Sequence, residues 1–148
     1  DAMELIHTGT RSNFESNRGA AVQISATRSI FVASQEFCRR NPNATRALVA
    51  VLLRAQKFVA DPANRAEVLP LVARETRQPP ELVSAIWGEY VFNPAFDEAY
   101  VADMESMTQY LVASGRVRQA RHPLDYTFSE PLAAADASLV RVPGRWRG

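Results

Sequence analysis

A chain of 148 residues, 47% hydrophobic and 22% charged, is one domain's worth of sequence with enough apolar mass for a real core. Seventeen basic residues against sixteen acidic ones leave a formal charge of +1, so no basic face dominates as phosphate binding requires and a nucleic-acid partner is not expected. No stretch approaches the roughly 20 apolar residues of a membrane helix, and the opening Asp1-Ala2-Met3-Glu4-Leu5-Ile6 lacks the basic and apolar stretches of a secretory signal.

The first 36 residues read differently from the rest. Ala2, Met3, Leu5 and Ile6 form a short apolar run, residues 8–13 supply turn chemistry, and Ala20 to Ala26 with Ile30 to Ala33 read as strands. So few strands need another layer to pack against. From Asn41 the chain reads helical, with Asn41 as N-cap and Pro42 in the first turn, where its missing N–H costs nothing. Leu48, Val51, Leu52, Ala55, Phe58 and Val59 recur at helical spacing, and Val49 and Leu53 widen the predicted buried face.

Asp61-Pro62 repeats the cap-and-proline signal for a second helix packed through Val68, Leu69, Leu71 and Val72, which Pro70 is expected to limit or kink. Pro79-Pro80 starts a third, with Leu82, Val83, Ile86 and Trp87 as its stripe and Gly88 loosening its end. Tyr90 to Pro94 reads as extended, since the residue before a proline is pushed out of the helical region. Asp97 to Ser114 makes the last long helix, with Tyr100, Met104, Met107 and Leu111 in register and Gly115 as its stop. Beyond Arg116 only Leu132 to Leu139 reads as helical, and Arg141, Arg145 and Arg147 read as a solvated basic tail.

Signals for chemistry are sparse. His7 and His122 flank the helical block without a carboxylate or cysteine at ligand spacing, so neither a metal nor another cofactor is expected. Cys38 is the single cysteine, which rules out an intrachain disulfide. Its neighbours favour burial, although a thiol activated by His7 is a conceivable nucleophile. Nucleotide-binding glycine loops and the nucleophile elbow of hydrolases are missing from the sequence. Arg28, flanked by Thr27 and Ser29, is the charge best suited to pair bidentately with a carboxylate or sulfonate, the alternative being an arginine at a strand edge.

Several segments, in order, carry a resemblance. Asp1-Ala2-Met3 looks like the end of a "G-x-V-D-A" strand, Phe31-Val32-Ala33-Ser34 with Phe37 and Asn41-Pro42 like a return strand and helix start, Ala55-Gln56-Lys57-Phe58 before Asp61-Pro62 like "A-x-x-W/F…N-P", and Leu111 to Val117 like "L-x-x-x-G-x-I". Together they resemble the nitrate/sulfonate/taurine-type solute-binding proteins of ABC importers.

The resemblance implies an α/β chain that forms the C-terminal part of a type II periplasmic-binding fold. Residues 1–36 would be a strand-rich remnant of the lobes and their return crossing, and residues 37–148 a C-terminal helical region packing on a lobe. It implies capture of a small organic anion by lobe closure, without catalysis, in a periplasmic or extracytoplasmic setting. The implied partners are a small-molecule solute, a membrane permease and the remainder of a two-lobed protein. Ligand contacts are expected from Glu4, His7, Thr8, Thr27, Arg28 and Ser29. Many relatives carry a tryptophan and a proline where this chain has Ile6 and Thr8, which removes the ground for an aromatic wall there. Enzymes of the same fold, desulfinase-like or pyrimidine-precursor synthase-like, and a helical interaction module stand as alternatives.

Overall fold

A computed structural model describes residues 29–147. They are mostly helical, and they divide between two compact units, Val59–Phe92 in one and residues 29–58 with 93–147 in the other.

In the larger unit the chain starts as irregular backbone, and Ser34 then caps helix α1 (Gln35–Arg40) by accepting the Phe37 N–H at 3.1 Å. This corrects the expected strand at Ile30 to Ala33, which has no strand pairing and leaves Phe31 and Val32 each 82% exposed. Apolar and β-branched composition favours a strand only where a neighbour is available to pair with it. The predicted Ala20 to Ala26 strand lies outside the described residues. Among those residues the sole β-pairing is an isolated parallel bridge between Phe96 and Val140, and the architecture is predominantly helical, as expected for residues 37–148.

Asn41 holds the predicted position just before the helix, but its side chain turns back instead of capping forward. Its N–H and its Nδ2 both donate back to the Phe37 carbonyl, at 2.9 and 3.1 Å, while its own carbonyl accepts the Thr45 N–H that opens α2 (Pro42–Ala60). The α1–α2 elbow is therefore one residue long, closed from both sides by Asn41. On α2 the buried residues are Thr45 and Leu53, with Val49 and Leu52 half-buried, whereas Leu48, Val51 and Phe58 are exposed. The inward face is thus rotated from the predicted stripe toward Val49 and Leu53 and keeps only Leu52 and Val59 of it.

The same unit contains α5 (Glu98–Ala113), numbered in chain order, capped by the Asp97 carboxylate on the Tyr100 N–H at 2.9 Å. It ends in a Schellman motif, in which Gly115 adopts φ +71° and Arg116 N–H reaches the Leu111 carbonyl at 2.9 Å. Tyr100 and Met104 are buried on α5, and Pro123, Leu124, Pro131 and Leu132 are buried in the irregular chain and short helix α6 (Glu130–Ala135) that follow. Polar groups join this core. Thr127 Oγ1 donates to the Pro123 carbonyl at 2.9 Å and meets Tyr100 Oη at 2.9 Å, and Ser129 Oγ accepts the Gly144 N–H at 2.9 Å. Irregular backbone brought inside must find partners for its polar groups, and these bonds provide them.

In the smaller unit a 3-10 turn (Pro62–Asn64), capped by Asp61 on the Ala63 N–H, feeds α3 (Arg65–Thr76). The helix continues past Pro70, so the predicted limit there is not realised. A second Schellman closure follows, with Gln78 N–H on the Ala73 carbonyl at 3.0 Å, but here the left-handed position is Arg77 at φ +55°. After residues 77–79 comes α4 (Pro80–Ile86), and α3 and α4 pack with Val68, Ala73 and Val83 buried. Past α4 the rings of Trp87, Tyr90 and Phe92 gather with centroids 5.5 to 6.3 Å apart.

Candidate functional site

The cleft of interest opens at the α1–α2 elbow, wholly within the larger unit, and encloses about 230 Å³. One wall is Cys38, Arg39, Pro42 and Arg46; the facing wall is Phe128, Glu130 and Pro131. The elbow explains the first wall, because its single-residue connection places the last turn of α1 beside the first turn of α2. Cys38 is buried and is among the residues that line the cleft.

Charge in the cleft is predominantly positive. The Arg39 guanidinium lies over the Trp146 ring, 5.6 Å from its centroid, and Trp146 in turn meets Phe128 edge-to-face at 4.5 Å. Arg39 makes no ion pair among the described residues. Arg46 is exposed and makes no ion pair among the described residues. Glu130 is the one acid in the lining, and Arg147 stands 3.4 Å from its carboxylate. The positive end of the α2 dipole adds to the field at Pro42. The Trp146 indole N–H is buried and has no acceptor among the described residues.

Of the six predicted ligand contacts, Glu4, His7, Thr8, Thr27 and Arg28 lie outside the described residues, and Ser29 is exposed on irregular backbone. His122 has a structural role: its Nδ1 accepts the Leu124 N–H at 3.2 Å, capping the turn Pro123–Asp125, while Nε2 faces Glu105 at 3.4 Å. The basic tail is less free than predicted, since Arg145 pairs with Asp125 at 3.0 Å and Arg147 with Glu130. No described group of histidine, cysteine and carboxylate side chains is arranged to hold a metal ion, and no described helix is long and apolar enough to cross a membrane.

Sequence reasoning passed over Arg39 and Arg46. They sit seven residues apart across a proline, and only the fold brings Phe128 and Glu130 opposite them.

A model of the NMT1-like family, part of the nitrate/sulfonate/taurine-binding periplasmic protein group, matches residues 19–73. No curated protein and no solved structure matches the chain. The matched stretch contains one complete wall of the elbow cleft together with Thr27, Arg28 and Ser29, while Glu4, His7 and Thr8 precede it. The family is mostly composed of substrate-binding proteins, so the match is consistent with a solute-binding role rather than catalysis.

Proposed function

We propose that the chain is part of a solute-binding component of an ABC importer, working outside the cytoplasm and capturing a small organic anion, a sulfonate or carboxylate, by closure of two lobes. The single observation that carries this reading is the NMT1-like match over residues 19–73. On this reading residues 1–36 belong to the lobes and their return crossing, residues 37–148 form the C-terminal helical region, and the fold is of the type II periplasmic-binding class. Glu4, His7, Thr8, Thr27, Arg28 and Ser29 are the groups assigned to the solute. A permease and further lobe structure are the partners, and the exposed Phe31 and Val32 supply apolar surface for such packing.

The test is a thermal-shift screen of nitrate, small sulfonates, carboxylates and aromatic acids on the full-length protein. A true solute raises the transition by an amount that grows with its concentration over Kd. Arg28→Ala should lower affinity by about 2 kcal/mol if the guanidinium makes a desolvated charge-assisted pair. A flat response across the screen refutes the reading, and an unaltered affinity in Arg28→Ala removes that residue from the site.

A further inference from the structure

We infer that the elbow cleft is itself a binding site for a small aromatic carboxylate, held by Arg39 and Arg46 with its ring against Phe128. The site goes beyond lobe closure, because every residue that lines it belongs to one compact unit.

Size comes first. At about 230 Å³ the cleft far exceeds the ~10–15 Å³ that a single water needs and is below the roughly 300–1,000 Å³ usual for larger ligands, which suits a single ring bearing one polar group. Lining chemistry comes second. Pro42, Pro131, Phe128 and Cys38 offer apolar contact that a bare inorganic anion would not use, while two guanidinium groups on one wall offer paired donors to a planar carboxylate.

Availability comes third. Neither Arg39 nor Arg46 has a carboxylate partner among the described residues, and the Arg39 guanidinium lies by the Trp146 ring. That contact also limits the rotamers Arg39 must surrender on binding, which lessens the entropic cost of capture. Glu130 opposes an anion, and its pairing with Arg147 moderates that repulsion. The sign of its effect is therefore fixed in advance: neutralising Glu130 should tighten binding.

Trp146 gives the readout. It touches both Arg39 and Phe128, and the chain's other tryptophan, Trp87, lies in the other unit. In the whole chain carrying Trp87→Phe, titration with benzoate should change Trp146 emission saturably, and the neutral isostere benzamide should not. Arg46→Gln should weaken benzoate about tenfold, the loss of one charge-assisted hydrogen bond, and Glu130→Gln should strengthen it, with circular dichroism showing both variants folded. Equal responses to benzoate and benzamide, no response to benzoate, or unchanged affinity in Arg46→Gln overturns the assignment. A solute that stabilises the full-length protein while leaving Trp146 emission unchanged and tolerating Arg46→Gln overturns this site alone and leaves the importer reading intact.

Discussion

The two units hold themselves together in different ways. In Val59–Phe92 the buried residues are small and apolar, Val68, Ala73 and Val83, carried on two helices with a short connection. In the larger unit irregular chain runs through the interior, so Thr127, Ser129 and several backbone groups of residues 123–145 are paired by specific hydrogen bonds beside Tyr100, Met104, Leu124 and Leu132. One unit depends on filled volume and the other on close backbone approach and polar pairing. The contrast predicts which kinds of substitution each will tolerate.

Gly144 should give the largest effect. A Cβ there would land on the Thr127 carbonyl, and the obstacle is backbone rather than a side chain that can swing away. Gly144→Ala should cost roughly 3 kcal/mol, at the upper end for overpacking, and should also break the Gly144 to Ser129 bond. Urea denaturation of the variant measures it. A cost below ~1 kcal/mol would mean that the tail lifts away readily and that the interior of this unit does not depend on it.

Val68 is the matching probe of the smaller unit. It is 2% exposed, and Val68→Ala removes two methyl groups and leaves a cavity, for a loss of about 2 kcal/mol. The polar counterpart is Tyr100→Phe, which leaves Thr127 Oγ1 its bond to the Pro123 carbonyl but removes the phenol, at a cost of about 1 kcal/mol. Hydrogen exchange should locate each loss: amides of α3 and α4 for Val68→Ala, and amides around residues 123–129 for Tyr100→Phe. Protection lost evenly over both units in either variant would erase the distinction between them.

The paired Schellman ends sharpen the comparison further. Gly115 occupies the left-handed position after α5 without steric cost, whereas Arg77 occupies the equivalent position after α3 with a side chain that disfavours it. Arg77→Gly should raise stability by about 1 kcal/mol, whereas Gly115→Ala should lower it by a similar amount. Chemical denaturation of the two variants provides the check. Equal signs would show that backbone strain does not decide these helix ends.

Legibility in the sequence followed the locality of the cause. Asp61-Pro62, Pro79-Pro80, Asp97 and Gly115 act on neighbours a few residues away, and each marks an element boundary in the structure. Ile30 to Ala33 misled because strand composition does not reveal whether a pairing neighbour exists. Helix α1 was hidden behind the conspicuous Asn41-Pro42, although Ser34, the first-turn Glu36 and the Glu36–Arg40 pair at 3.0 Å were its signals. The inward face of α2 was misplaced because periodicity in a helix apolar on several sides does not say which side a neighbour will cover. The elbow cleft needs Arg39 beside Trp146 and Arg46 lining the same space as Phe128, and such long-range proximity leaves no spacing pattern to find.

The smallest expected effect concerns acid. Asp136 has its carboxyl held below the ordinary range, first by the Ser138 hydroxyl, which donates at 2.6 Å, and then by the Lys57 ammonium at 2.9 Å, and these outweigh the opposing effect of desolvation. A carboxylate whose folded value is depressed stabilises the fold fully above its unfolded value, and that contribution disappears as pH falls through the folded one. The loss therefore sets in below about pH 5, where an ordinary aspartate begins to protonate, and deepens as the pH falls further. Asp136→Asn should flatten the acid limb of a plot of urea midpoint against pH. Lys57→Met should flatten it less, because the Ser138 hydroxyl still holds the carboxyl down. Because the pair is solvent-accessible, both differences should shrink in high salt, and an acid limb that steepens in Asp136→Asn would mean that the carboxylate destabilises the fold instead.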